Sequence, residues 1–349
     1  VGCSRDGESQ GASLVVQTSF LGDTVLTTPL IAYLAKGGPV DVVVTAAAAP
    51  LLANNPSIRD LIVYDKRGRD RGVGGFVRLT RRLRQARYAR AYLAQGSMRS
   101  AGLALAAGIR ERVGFQTSDG RRLYTTRVPY IENEHHATRL LRLAAGTADI
   151  TPSATQPRLY PGAEERRAVD ALLSQHGWGG EPLIALAPGS VWATKRWPKY
   201  PELAANLDAR LAIVGSVADR ELALEISRAA GSRAIDCTGV LSLLGSAELI
   251  ARAHVLVTND SSPSHLASAM GTPTVAIFGP TVPEFGFGPL APRSRVLGLS
   301  ALACRPCDRH GPRRCPLGHW RCMREITPRD VVAAVHELMA SPRIPTSSR

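Results

Sequence analysis

Residues 254–281 read HVLVTND-SSPSHLASAM-GTPTVAIFGPT. The apolar run HVLVTND (254–260) stops at Asp260 in a cluster of Ser and Pro, a helical stretch follows, and a second apolar run, TPTVAIFGP (272–280), closes the unit. Strand, helix, strand, with both strands apolar throughout, is the pattern of parallel strands buried on two faces. Ser261, Ser262 and Ser264 fall just before or within the first turn of the helix, where backbone N–H groups lack partners. With the helix dipole, that end is a ready anion site, to which His265 can add a hydrogen bond or a positive charge. Serine capping alone explains the same residues. Asp260 fits an anion poorly, so it is expected to cap the helix or to meet a sugar hydroxyl.

The same alternation runs outward in both directions. In the first half, strands are expected at LVVQT (14–18), VDVVVTA (40–46), LIVYD (61–65), ARAYLA (89–94) and ERVGF (111–115). Helices are expected from about Thr24 to Lys36, over FVRLTRRLRQARY (76–88), over 100–107 and over HHATRLLRLAA (135–145). Residues 148–162, ADITPSATQPRLYPG, carry three prolines and no periodicity and read as a linker. Beyond it come PLIALAPG (182–189), ARLAIVGS (209–216), RAIDCTG (233–239) and the two strands already described. The last element, TPRDVVAAVHELMA (327–340), opens on a helix-start signature. The fold class is α/β, two doubly wound domains in tandem, with ligands expected at the carboxyl ends of strands in the cleft between them.

With 44% hydrophobic and 21% charged residues, the 349-residue chain has the composition of a globular protein rather than a disordered one. Its net charge of +14 suggests an anionic partner: nucleic acid, an acidic membrane surface, or a phosphorylated or carboxylated substrate. Solvated basic faces are the plain alternative. No run approaches the ~20 apolar residues of a membrane span, and the opening VGCSRDGESQGA lacks the apolar core of a signal peptide. The expected location is therefore cytoplasmic, with peripheral association with an anionic membrane left open.

Four further strand ends are polar, Thr18–Asp23, Pro188–Lys195, Gly215–Ser216 and Thr238–Gly239, and two of them carry candidate site residues. In SFLGDTVLTTP (19–29), Gly22 permits a tight turn and Asp23 stands at or near the helix N-cap. Asp23 either caps, accepting free backbone N–H groups, or is a general base for a substrate hydroxyl. In APGSVWATKRWPKYPELAANL (187–207), a Pro-Gly-Ser turn carries Ser190, then Thr194, Lys195 and Arg196. Hydroxyls and cations on such a loop suit a diphosphate, although an exposed basic turn reads the same way. It is not the GxxxxGK[ST] phosphate loop, which argues against a nucleoside triphosphatase.

Four cysteines, Cys304, Cys307, Cys315 and Cys322, are spaced C-x2-C-x7-C-x6-C, with His310 and His319 nearby. This suits a structural zinc; unligated thiols and a redox or cluster role remain open. Cys3 and Cys237 have no partner in sequence.

LGDTVLTTP, PGSVWATKRWP and TNDSSPSHLASAMGTPTVAIFGPT together resemble the signature stretches of the ADP-heptose:lipopolysaccharide heptosyltransferases, glycosyltransferase family 9. Their pattern looks nearest to the heptosyltransferase II subgroup and covers about Leu14 to Met339. The resemblance implies a GT-B fold and inverting transfer of L-glycero-D-manno-heptose from ADP-heptose, with no metal at the chemistry. It implies an acceptor-binding domain at 11–160, a nucleotide-sugar domain at 161–326, and a terminal helix and tail, 327–349, returning to the first domain. By the same resemblance Asp23 is the base and Lys195 lies on the donor phosphates beside Ser190 and Thr194. Asp260, Ser261, Ser262 and His265 then form the second donor-side loop. Family members usually carry Gly where this chain has Ser262, so the close approach there is in question.

The implied acceptor is the phosphorylated Kdo-lipid A inner core of lipopolysaccharide, and the second heptose is the expected addition. Lys66, Arg67 and Arg69 of KRGRDRG (66–72), with His136 and Arg139 of HHATRLLRLA, look like the segments that meet it. An exposed basic loop and an ordinary amphipathic helix are the plain alternatives. Two other function classes stay in view. One is a GT-B enzyme of different nucleotide-sugar chemistry, such as an epimerase, which would turn over donor without acceptor. The other is a non-catalytic binder of anionic lipid or nucleic acid, although the chain has no nucleic-acid motif and no such partner is expected.

Overall fold

The computed structural model describes residues 11–340; Cys3, the rest of the polar stretch 1–10 and the tail after Ala340 lie outside them. The chain divides into two compact units between Pro157 and Arg158.

The first unit runs β1 (Ser13–Gln17), α1 (Leu21–Leu26), α2 (Thr28–Ala35), β2 (Val40–Val44), α3 (Ala49–Leu52) and β3 (Asp60–Val63). It continues with α4 (Gly72–Ala86), β4 (Arg90–Leu93), α5 (Met98–Ala106), β5 (Glu111–Phe115), β6 (Thr126–Val128) and α6 (His136–Ala145). Its six strands are parallel in the order β3-β2-β1-β4-β5-β6. β2 is buried at every position, as a strand covered on both faces must be. Leu14, Val16, Val43, Ile62 and Leu93 meet Leu79 and Leu83 of α4 in one apolar cluster.

The second unit runs α7 (Ala163–Gln175), β7 (Leu183–Ala187), α8 (Tyr200–Asn206), β8 (Arg210–Ile213), α9 (Arg220–Ala230) and β9 (Ala234–Asp236). Then come α10 (Leu243–Arg252), β10 (Val255–Asn259), α11 (Ser262–Met270), β11 (Thr274–Ile277), β12 (Ser294–Leu297), α12 (Arg321–Arg324) and α13 (Pro328–Ala340). Its strands are again parallel, in the order β12-β11-β10-β7-β8-β9.

Both sheets reverse their winding beside the first strand: β1 lies between β2 and β4, and β7 between β8 and β10. In open α/β sheets the crevice at such a reversal, outside the carboxyl ends of the strands, is where ligands bind. Those ends lead into Thr18–Asp23 in the first unit and into Pro188–Lys195 and Asp260–His265 in the second.

Several expectations are corrected. The single helix expected from Thr24 to Lys36 is two helices, parted at Thr27. Pro29 lies in the first turn of the second, which begins at Thr28, and cannot continue the first, because it has no N–H to offer to the preceding turn. β6 and β12 were not anticipated: both are short edge strands with exposed positions and no apolar alternation. The terminal helix α13 packs on α8, β10, β11 and β12 of its own unit. Val331, Ala334, Val335 and Leu338 sit in the second unit's core.

Candidate functional site

At the end of β1, buried Gln17 organises the turn. Its Oε1 accepts the Ser19 N–H (3.2 Å) and its amide nitrogen donates to the Thr27 hydroxyl (3.0 Å). Asp23 does not cap: Phe20 is the N-cap residue, and both Gly22 and Asp23 lie within α1. The Asp23 carboxylate stays partly accessible, its side chain 19% exposed, and accepts the Ser19 hydroxyl at 2.7 Å on Oδ2. His136 Nε2 lies 3.9 Å from Oδ1. His136 opens α6, where His135 accepts the Ala137 N–H as the cap, and α6 packs against α1. Asp23 and His136, expected separately as base and acceptor ligand, are thus brought together.

The other first-unit candidates divide. Lys66 reaches back to donate to the Thr18 carbonyl (2.9 Å), and burial, then the charges of Arg67 and Arg99, push its pKa down. Arg67 and Arg69 are exposed. Their loop is shaped by two acids: Asp65 accepts the N–H groups of Gly68 and Arg69, and buried Asp70 accepts Arg78 (2.9 Å) and the Asp65 N–H (3.1 Å). Arg139 is not placed as an acceptor ligand. It is 1% exposed, and its guanidinium donates to the Ile131 carbonyl (2.8 Å), the Tyr130 hydroxyl (2.6 Å) and the Glu132 carbonyl (2.5 Å). A buried guanidinium survives only with such partners, and these hold the loop before α6.

In the second unit, Asn259 at the end of β10 ties the two neighbouring loops together. It donates to the Pro188 carbonyl (2.7 Å) and accepts the Trp197 N–H (3.1 Å). Lys195 Nζ lies 2.6 Å from Asp260 Oδ2, and the Thr281 hydroxyl donates to that same oxygen at 2.6 Å. Asp260 therefore neither caps α11 nor stands idle; it holds the lysine. Thr194 is buried, and its hydroxyl donates to the Pro312 carbonyl (2.5 Å), so it does not present that proton to a ligand. Ser190 accepts the Trp192 N–H weakly at 3.4 Å, while its carbonyl takes the Arg196 guanidinium at 2.9 Å.

Ser261 is the N-cap residue of α11 but makes no capping bond; its hydroxyl points back to the Asn259 carbonyl (3.4 Å) and Thr258 (3.4 Å). The nine-residue helix thus presents an N-terminus without a side-chain cap, beside the Lys195–Asp260 pair. Ser262 is its first residue and has no left-handed φ, so the backbone there does not require the family's usual glycine. Ser264 Oγ is buried with no hydrogen-bond partner among the described residues. His265 is 5% exposed and packs against Phe287, ring centroids 6.4 Å apart, rather than being presented outward as an exposed cation.

The four clustered cysteines do not fit the expected zinc. Among the described residues no group of three or more His, Cys, Asp and Glu side chains is arranged to hold a metal ion. Cys307 donates to the Cys304 carbonyl (3.1 Å), Cys304 lies 3.9 Å from His319 Nε2, and Cys315 accepts the Trp320 N–H (3.4 Å). Cys322 is buried in the apolar core beside Met323, and burial pushes its thiol up to about 11. Cys237 is likewise a buried free thiol.

Three residues at these sites were missed. Ser19 and Thr281 fall within the quoted stretches SFLGDTVLTTP and TNDSSPSHLASAMGTPTVAIFGPT, but a lone hydroxyl there does not show which carboxylate it meets. Trp320 lies 126 residues from its partner Thr194, a separation no local pattern bridges.

Residues 76–319 match glycosyltransferase family 9 (heptosyltransferase). The chain is 29% identical to lipopolysaccharide heptosyltransferase 2 of Salmonella typhimurium, over 94% of this chain and 98% of that protein. It is 31% identical to lipopolysaccharide heptosyltransferase 1 of Pseudomonas aeruginosa, over 84% and 85% of the two chains. Among solved structures, the ADP-heptose LPS heptosyltransferase II of E. coli superposes with a TM-score of 0.78 at 26% identity, covering 94% of this chain and 98% of that one.

Proposed function

This chain belongs to glycosyltransferase family 9, the heptosyltransferases, and from that premise we propose that it adds the second L-glycero-D-manno-heptose to the lipopolysaccharide inner core, from ADP-heptose, with inversion. The coarser part, a GT-B glycosyltransferase of lipopolysaccharide core biosynthesis, follows from the family and its relatives. The observation that supports the donor half of this reading is a nearly buried ammonium, Lys195, paired with Asp260 just before the uncapped N-terminus of α11, at the carboxyl ends of β7 and β10. Positive charge and unpaired N–H groups together suit a diphosphate.

In this reading the donor diphosphate lies against Lys195 and the Ser261–Ser264 turn. As the bond to the anomeric carbon loosens, negative charge gathers on the departing ADP, and these fixed donors stabilise it. Asp23 removes the acceptor hydroxyl's proton, Ser19 keeping the carboxylate oriented through Oδ2. Attack on the face opposite the leaving group inverts the centre. Arg67 and Arg69 supply exposed positive charge for the phosphorylated acceptor, whereas Arg139 shapes the loop before α6. The +14 charge supports a peripheral contact with an anionic inner membrane from the cytoplasmic side. Among the described residues no helix is long and apolar enough to cross a membrane.

Identity to relatives of both numbers is similar, at 29% and 31%, so the acceptor must be tested directly. Purified protein is given ADP-heptose with Kdo-lipid A carrying either no heptose or one, and the lipid is weighed by mass spectrometry. A heptose mass gained only by the singly heptosylated acceptor is expected. Gain on the heptose-free acceptor alone would replace the second-heptose assignment with the first.

A further inference from the structure

The segment from Leu302 to Trp320 contains no regular strand or helix, yet it is bonded at several points to the turns that carry the donor-site residues. The Cys307 N–H donates to the Pro280 carbonyl (2.9 Å), and Arg305 donates to the carbonyls of Phe278 (3.1 Å) and Thr281 (2.9 Å). Thr194 is gripped on both sides: its hydroxyl by the Pro312 carbonyl, and its carbonyl by the Trp320 indole N–H at 2.8 Å. The next residue is Lys195. Gly311, at φ +87°, lies against its stem so closely that a Cβ would come within 3.1 Å of Lys195 Cε and 3.3 Å of Cγ.

Trp320 itself is held in an uncommon backbone state. Its φ of 49° and ψ of 32° are left-handed, which a bulky residue adopts only when its surroundings over-determine it. Those surroundings are present. The carbonyl of Trp320 accepts the N–H groups of Met323 and Arg324, and the buried side chains of Cys322 and Met323 root α12 in the core. Its own N–H is fixed on the Cys315 sulfur, and the Arg324 guanidinium lies 5.7 Å from its ring. A strained residue whose indole N–H is spent on the neighbour of a site lysine is placed to aim that lysine.

We propose that Trp320 is a positioning residue for the donor site: through Thr194, and with Gly311 against the stem, it fixes the direction in which Lys195 presents its ammonium. This rests on the reading of Lys195 as a donor-phosphate ligand. With the indole N–H gone, the Thr194–Lys195 turn loosens and the ammonium samples positions away from the diphosphate.

The test compares Trp320→Phe, which keeps a ring but loses the N–H, with Lys195→Ala and the double variant. ADP affinity is measured by calorimetry, kcat and KM for ADP-heptose and for the acceptor by turnover, and folding by Tm. For Trp320→Phe we expect ADP affinity and donor KM to worsen roughly five- to tenfold, the loss typical of one hydrogen bond. The acceptor KM should stay within about twofold, and the double variant should bind ADP no worse than Lys195→Ala, because coupled residues are not additive. Thr194→Val, which keeps the carbonyl that Trp320 holds but breaks the second hold on the same turn, the hydroxyl bond to Pro312, should reproduce the donor-specific loss and serves if Trp320→Phe does not fold. Donor constants unchanged in Trp320→Phe or Thr194→Val, beside a weakened Lys195→Ala, would overturn the positioning role alone. Unchanged ADP affinity in Lys195→Ala would overturn the phosphate reading and the positioning role with it.

Discussion

The Lys195 ammonium and the Asp260 carboxylate are 2.6 Å apart, each with about a tenth of its side chain exposed. A cation read from sequence as a phosphate ligand is thus already half of a shielded ion pair, braced by the Thr281 hydroxyl on the same carboxylate oxygen. Asp260 orients the ammonium and offsets part of its charge, so a diphosphate meets a directed donor rather than a bare cation. Lys195→Ala is expected to raise the donor KM and lower kcat together, in steady-state turnover. Unchanged constants would remove the lysine from the site.

Breaking that pair from the other side has a different signature. Asp260→Ala leaves a nearly buried ammonium without its carboxylate, an arrangement that costs about 3–5 kcal/mol. Denaturant unfolding should show the loss, and Lys195→Met combined with Asp260→Leu should recover most of it while remaining inactive. A single variant as stable as wild type would mean that solvent reaches the pair freely.

Asp23→Asn preserves shape and the contact with Ser19 but cannot take a proton. Turnover should fall roughly 10²–10⁴-fold, with ADP affinity by calorimetry within about twofold of wild type. Ser19→Ala, which removes only an orienting bond, should cost about tenfold or less. Near-normal transfer by Asp23→Asn would remove it as the base.

Two arginines that look alike in sequence should separate cleanly. Arg139→Ala removes a buried guanidinium bonded to three oxygens and should destabilise the protein by at least about 2 kcal/mol. Arg69→Ala, at an exposed position, should leave Tm unchanged and raise the acceptor KM. The reverse pattern in thermal melts and kinetics would exchange their roles.

Asp70 gives the basic loop a pH dependence. Burial works to raise its pKa, but the Arg78 hydrogen bond, the Asp65 N–H and Arg69 outweigh that and hold it below the ordinary value of 3.8. A folded pKa below the unfolded one means stability that is full above the unfolded value and lost as pH falls through the folded one. Asp70→Asn should therefore lower Tm at neutral pH, with the gap to wild type closing as the pH drops below about 4. A gap that widened on acidification would contradict the sign.

Much of this was legible because apolar runs are unambiguous where a strand is buried on both faces: VVVTA and LIALA leave no other reading. The edge strands β6 and β12 were not legible, since their exposed positions carry no pattern. The carboxyl ends of strands were legible where a polar residue follows a buried strand, as Asp260 follows β10. Their partners were not: the Asp260–Lys195 pair, the Arg139 loop bonds and the Trp320–Thr194 bond depend on which side chains the folded chain brings together.

Acceptor-dependent heptosyl transfer is read out by the release of ADP. Purified protein is supplied with ADP-heptose, with and without Kdo-lipid A carrying one heptose, and free ADP is followed over time. ADP should appear in step with a heptose mass gained by the lipid, with little release in the absence of acceptor. Equal ADP release with and without the lipid, or none with both substrates present, would contradict it.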